Sequence, residues 1–319
     1  MKRQRILITG GAGFIGSHLV EKLLAEGKKV ICLDNFNNFY DPKIKEKNIA
    51  RALKHSNFIL IRGDILDEKL LDEIFLKYQI QKIIHLAAIP GVRQSLLSPL
   101  KYIDVDIKGT INLLKKAKEH KIEQFIFGSS SSVYGINKKI PFSESDSVNS
   151  QISPYAVAKR AAELYCQTYH YLYKIPIIVF RFFTVYGPRQ RPEMAIYKFA
   201  RLISEDKPIQ IYGDGTSKRD YTYIDDIIQG VMQAVNKNFD FEIFNLGNSK
   251  TVELKKLVEI ISSKLGKEAK IEMLPDQLGD VPMTYADISK SKKMLGYNPQ
   301  TSIEKGVEKF IQWYEKNKK

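Results

Sequence analysis

The chain is poor in cysteine: only Cys32 and Cys166 occur among its 319 residues. With no Cys-x-x-Cys spacing, they argue against a disulfide framework, a dithiol redox centre and a thiolate metal site, and read as buried free thiols. The five histidines are scattered, with no His-x-x-x-His or His-x-Glu pair, so no metal is expected. Long apolar runs are also missing. The longest, such as Lys82-Ile83-Ile84-His85-Leu86-Ala87-Ala88-Ile89, is far too short to span a bilayer. Met1-Lys2-Arg3-Gln4-Arg5 leads straight into Ile6-Leu7-Ile8 without the apolar segment and small-residue cleavage site of a secretory signal. The expected compartment is the cytoplasm.

Acids are in deficit, with 36 against 50 lysines and arginines, a net charge of +14. A nucleic-acid binder would gather that charge into one patch interleaved with aromatics. Here the lysines spread through 43–54, 101–121 and 255–270 among acids. The balance reads as a solvated basic surface that also attracts an anionic ligand. Apolar residues make up 44% of the chain and charged residues 27%, an ordinary globular composition. The length allows one large α/β domain or two modest ones.

What is present is a rhythm. Arg5–Thr9, Lys29–Leu33, Phe58–Ile61, Lys82–Leu86 and Gln124–Gly128 read as strands. Helical patterns near 14–26, 43–54, 67–77, 99–120 and 153–173 separate them. This alternation predicts βαβ units with right-handed crossovers and a parallel sheet. The strands are nearly continuous apolar runs, as a sheet covered on both faces requires. The expected fold class is α/β, a Rossmann-like doubly wound sheet over residues 1–175. After Tyr173 come a strand at Ile175–Phe180, an irregular stretch from Arg181 to Pro192 and a strand near Glu242–Asn245. Residues 176–319 are expected to form mainly a smaller substrate-binding lobe, with those two strands returning to the main sheet.

Thr9-Gly10-Gly11-Ala12-Gly13-Phe14-Ile15-Gly16 follows the first strand and opens the first helix. Glycines at 10, 13 and 16 permit a tight turn, close backbone approach to a pyrophosphate and close helix–strand packing. The helix N-terminus adds free N–H groups and its positive dipole end. Asp34, 18 residues beyond Gly16, suits the adenosine ribose hydroxyls and disfavours a 2′-phosphate, pointing to NAD. Asp64, with Ile65 beside it after the third strand, is a candidate acceptor for the adenine amine. Tyr155 and Lys159 lie four apart, on one face of a helix. There the ammonium favours the phenolate of a phenol that ordinarily titrates near ~10. Such a phenolate can accept a proton from a hydroxyl at neutral pH.

Glycine turn, Asp34, the serine run Ser129-Ser130-Ser131-Ser132 and the Tyr155/Lys159 pair together resemble the extended short-chain dehydrogenases/reductases. Within them the chain is similar to the nucleotide-sugar epimerases, over essentially its whole length. The resemblance implies Tyr155 as base, Lys159 on the nicotinamide ribose and Ser130 as the catalytic hydroxyl. It also implies NAD contacts from Phe14, Ile15, Asn35, Leu86, Ala87 and Ala88. Three segments resemble the UDP-glucuronate 4-epimerase branch. They are Ala87–Ser95; Arg181–Pro188 running on to Arg191-Pro192-Glu193-Met194; and Gly279-Asp280-Val281-Pro282 with Thr284-Tyr285-Ala286-Asp287. Thr184 and Gln277 stand where UDP-glucose epimerases usually hold Asn and Arg, and Asn37-Asn38-Phe39-Tyr40-Asp41-Pro42 fits the same branch.

The implied substrate is a UDP-sugar. Its carboxylate and diphosphate need donors, which Arg93, Arg191, Ser130, Ser132 and Thr184 are placed to supply. The resemblance further assigns Arg219 to the diphosphate, Asp280 to the uridine ribose and Tyr212 to the uracil. Three positions depart from the branch: Ile89-Pro90, Gln94, and Asp106 where Asn is common. Two serines follow Ser130 instead of the Asp-Glu pair of the 4,6-dehydratases. The expected activity is NAD-dependent 4-epimerisation of UDP-glucuronate, with a UDP-glucose or UDP-N-acetylglucosamine epimerase and a UDP-glucuronate decarboxylase as alternatives. A homodimer joined through a four-helix interface is expected, built from 100–118 and the Tyr155 helix.

Overall fold

The computed structural model describes residues 4–275, 279 and 281–318. Its centre is a seven-stranded, wholly parallel sheet. The strands are β1 (Arg5–Thr9), β2 (Lys29–Asp34), β3 (Phe58–Arg62), β4 (Lys82–His85), β5 (Gln124–Ser130), β6 (Ile177–Phe182) and, after the insertions of the second half, β10 (Phe241–Leu246). Their order across the sheet is β3-β2-β1-β4-β5-β6-β10. Alternate residues of each strand feed opposite faces. Leu7, Ile31, Ile83, Phe125 and Ile177 pack into one core cluster, while Ile6, Ile8, Val30, Ile84, Ile126 and Ile178 pack into the other. Helices on both sides turn each strand into a near-continuous apolar run.

The remaining strands lie outside this sheet. β7 (Thr184–Tyr186), β9 (Lys218–Tyr223) and β11 (Thr251–Glu253) form one small sheet, and β8 (Ile209–Tyr212) pairs with β12 (Ile271–Leu274) in another. The stretch from 181 to 192 is therefore more regular than its Gly, Pro and Arg content suggests. Arg181 and Phe182 extend β6, and β7 follows within two residues. The strand expected at 175–180 runs from Ile177 to Phe182.

Two helices differ from their sequence expectation. The pattern at 43–54 resolves into a helix Pro42–Ile49 and a separate short turn Ala52–Lys54. The pattern at 99–120 is interrupted. A turn Pro99–Tyr102 leads into an over-wide helical segment Ile103–Lys108, and regular helix resumes at Gly109–Glu119. Apolar periodicity reports the buried face but not the local winding, and widened turns of this kind recur where a helix lines a functional site.

β1 is the switch point of the sheet. Its neighbours β2 and β4 lie on opposite sides, and the chain crosses over from the β3 edge to reach β4. A crevice therefore opens at the carboxyl ends of β1 and β4, where doubly wound sheets bind ligands.

Candidate active site

A cavity of about 540 Å³ occupies this crevice. The glycine turn forms its floor. Gly10 has φ +70°, and a Cβ there would lie 2.7 Å from the backbone N of Ala87. At Gly16 a Cβ would meet the Gly10 carbonyl oxygen at 2.2 Å. Both positions tolerate only glycine. The helix Phe14–Ala25 starts after Gly13 with no side-chain cap, which leaves its first N–H groups aimed at the cavity. This cradle fits a dinucleotide pyrophosphate.

The Asp34 end of the cavity is more constrained than the sequence indicates. Asp34 is buried. Its Oδ2 accepts from the Ala12 N–H at 3.1 Å, and its Oδ1 accepts from Phe36 N–H at 2.9 Å and from Lys45 Nζ at 3.0 Å. Lys45 was not singled out in the sequence. It comes from the helix after β2, and Asp41, which caps that helix through Lys43 N–H, was the only local sign of it. Asn35 Nδ2 donates to Asp64 Oδ2 at 2.8 Å, so these two cavity residues hold one another.

Tyr155 and Lys159 lie in the first turns of the helix Pro154–Tyr173, opened by Ser153, whose side chain accepts from Ala156 N–H, and by Pro154. Both are preferred helix-start residues. Lys159 is buried. Its Nζ donates to the Gly128 carbonyl at 3.1 Å and lies 6.0 Å from the Tyr155 ring centroid. Ser130 ends β5. Its Oγ donates to Ser132 Oγ at 3.0 Å and accepts from Ser132 N–H at 3.1 Å.

Beneath these groups lies a buried network. Glu163, one turn beyond Lys159, accepts from Ser129 Oγ at 2.7 Å, from Arg181 Nε and Nη2 at 3.0 and 2.9 Å, and from Arg160 Nη1 at 3.0 Å. It ties the helix that carries Tyr155 and Lys159 to the end of β5 and to β6. The signal for it was the further spacing of four from Lys159, which repeats one helix face. Behind β4, His85 is wedged between Thr9 Oγ1 at 2.7 Å and Thr110 Oγ1 at 3.0 Å. Burial, with a smaller push from Lys159, lowers its value to about 3, so it is a neutral imidazole.

The sequence-derived residues divide by position. Phe14, Ile15, Gly13, Ile65, Leu86, Ala87 and Ala88 line the cavity with the residues already named, and so do Thr184 and Arg191. Arg191 Nε donates to the neighbouring Glu193. Arg93 and Tyr212 are brought together away from the lining, the guanidinium standing 4.5 Å from the ring centroid. Arg219 donates to the carbonyls of Lys218 and Pro282 at 3.0 and 3.4 Å. Gln277 and Asp280 lie outside the described residues.

The chain as a whole is similar to known proteins. A family model described as GDP-mannose 4,6 dehydratase matches residues 7–310. A UDP-glucuronate 4-epimerase of Thermodesulfobacterium geofontis is 44% identical over 312 residues, covering 98% of this chain and 96% of that protein. The chain belongs to the extended short-chain dehydrogenase/reductase family of nucleotide-sugar epimerases. Among solved structures, UDP-glucuronic acid 4-epimerase from Bacillus cereus, in complex with UDP-glucuronic acid and NAD, superposes with a TM-score of 0.92. It is 38% identical, and the match covers 98% of this chain and 99% of that one. A UDP-glucose 4-epimerase of Thermotoga maritima, in complex with UDP-glucose, gives a TM-score of 0.91 at 31% identity, covering 99% and 100%. This family member keeps Ser131 and Ser132 after Ser130, so the name of the family model does not carry its reaction with it.

Proposed function

We propose that this epimerase interconverts UDP-glucuronate and UDP-galacturonate by inverting C4. The observation that carries the choice of sugar is the placement of Thr184 and Arg191 in the same cavity as Tyr155 and the serines. A uronate needs a cation and hydroxyl donors around its carboxylate, and these residues supply them.

The roles follow from position. Tyr155 takes the proton of the C4 hydroxyl, with the Lys159 ammonium 6.0 Å from its ring centroid. Ser130 donates to the same oxygen. Bound NAD supplies the hydride acceptor and donor, so no net redox change results and the cofactor is retained. The 4-keto sugar turns over within the cavity so that the hydride would return to the opposite face of C4, while Tyr155 returns the proton to the C4 oxygen. Its carboxylate lies β to the ketone and is prone to leave as CO₂. Thr184, Ser132 and Arg191 oppose this by holding the carboxylate in one plane. Gly10, Gly13, Gly16, Asp34, Asn35 and Asp64 hold the dinucleotide, with Arg93, Tyr212 and Arg219 on the nucleotide side.

Glu193 offsets part of the Arg191 charge, which favours the neutral UDP-hexoses as the second reading. Purified protein should therefore be incubated separately with UDP-glucuronate, UDP-glucose and UDP-N-acetylglucosamine, with product analysis by NMR. UDP-galacturonate supports the proposal. UDP-galactose or its N-acetyl counterpart alone supports the second reading, and a pentose product makes the enzyme a decarboxylase. Tyr155→Phe should reduce turnover by roughly 10²–10⁴-fold; retention of most activity would remove Tyr155 from the base role.

We also propose a homodimer. Leu100, Ile103, Val157, Leu164 and Tyr171 are exposed on the segment around 100–118 and on the Tyr155 helix. Apolar surface gathered on adjacent helices marks an interface, and pairing two copies would give a four-helix contact. Residence in the cytoplasm fits a substrate and cofactor that are both soluble nucleotides.

A further inference from the structure

Asp106 is a buried carboxylate beside the catalytic helix with one oxygen unspent. It sits in the widened helical segment Ile103–Lys108 and is 1% exposed. Oδ1 accepts from Ile89 N–H at 2.8 Å. Among the described residues, Oδ2 has no hydrogen-bond donor, and it lies 3.8 Å from Lys159 Nζ. A carboxylate is not buried half-satisfied without cost, and among the described residues the cation facing it is Lys159, four residues from Tyr155.

We propose that Asp106 is a positioning residue whose two oxygens act separately: Oδ2 counterbalances the Lys159 charge and so sets the pH at which Tyr155 becomes competent as base, while Oδ1 fixes the Ile89 backbone at the cavity. Tyr155 thus ionises beside an ion pair rather than beside a lone ammonium. A negative charge close to Lys159 weakens the field that favours the phenolate, and at the low effective dielectric of this interior the effect is not screened away. Two charged neighbours are unchanged by a substitution at Asp106: Arg191 in the same cavity, and Glu163 one turn beyond Lys159, which is held by Arg181 and Arg160. On Asp106's own helical segment, Tyr102 is held in its protonated form by burial and by Asp106 itself. From β4, His85 is neutral. From the catalytic helix, the Cys166 thiol is pushed up by burial. Burial raises Asp106 to about 6 against the opposing pull of Lys159 and the Ile89 N–H, so the pair retains its negative member at neutral pH.

The inference rests on Tyr155 being the base, but the test of its charge half does not need a substrate. Tyrosinate absorbance is titrated in the wild type and in Tyr155→Phe, and the difference gives the Tyr155 midpoint; the same pair is measured with Asp106→Asn. The asparagine keeps an acceptor for Ile89 N–H and removes the charge. The midpoint should fall by on the order of one pH unit, so that activity on the acid limb, relative to the plateau, rises about tenfold. An unchanged or higher midpoint overturns the proposal. Asp106→Ala also frees Ile89: the same fall in midpoint with a several-fold rise in substrate KM is expected, and an unchanged KM overturns the role of Oδ1. Absence of turnover with every UDP-sugar would tell against the proposed function, and the midpoint would still decide the role of Oδ2.

Discussion

At Glu163, donors from β5, from β6 and from its own helix converge on one buried carboxylate. Burying that charge is tolerable because every acceptor position is met, two of them by the fork of Arg181, itself 1% exposed. Removing one member leaves the other charge uncompensated, which typically costs about 3–5 kcal/mol. Glu163→Ala is therefore expected to lower the unfolding free energy by that amount in urea denaturation. Glu163→Gln, which keeps hydrogen bonding but not charge, should lose less. Neither Arg181 nor Lys45 could be read as a site residue from the chain alone. Each is defined by the distant partner it meets, Glu163 18 residues away and Asp34 11 residues away. The Tyr155/Lys159 pair was legible because helical geometry makes it local.

The turn between β1 and the helix Phe14–Ala25 behaves as a unit fixed by backbone contact. Gly10→Ala would force a left-handed φ on a residue with a Cβ and drive that atom into Ala87. The expected outcome is protein that folds but is purified without NAD, measured by absorbance after denaturing release. The β4 element carries a pH effect. The folded value of His85 is about 3 against 6.5 unfolded. Below pH 6.5 the unfolded chain thus binds a proton that the folded one refuses, and stability falls as pH drops toward 3. The slope from this group is at most about 1.4 kcal/mol per pH unit. Asp106 and Asp220, both raised by burial from 3.8 to about 6, act oppositely within that window, since the folded state holds their protons. Denaturation of His85→Gln across a pH series should therefore lack the acid-side loss that His85 contributes. The strands and the glycine turn were legible because both are local patterns. The break at Ile103–Lys108 was not, because apolar periodicity reports the buried face of a helix and not its local winding.

For the whole molecule, dimerisation is the expectation that a single chain tests least. Leu100→Glu combined with Leu164→Lys should convert a dimer to a monomer in sedimentation, while leaving each cavity intact. If both forms sediment as monomer, the exposed leucines serve another purpose. Charge was less informative than it looked: a net +14 is spread over ion pairs such as Lys115–Glu68 and Lys264–Glu308.

The sheet order has one more outcome. β6 and β10 are laid down in sequence after the helix Pro154–Tyr173, yet they pair beside β5 and complete the sheet. A chain emerging during synthesis would hold β5 as a bare edge, with Phe125 and Phe127 uncovered, until residue 182 had been made, and the final strand could dock only after residue 246. Unpaired parallel edges invite association between molecules. A product truncated between 130 and 176 should therefore collect in aggregates rather than persist as a free cofactor-binding fragment.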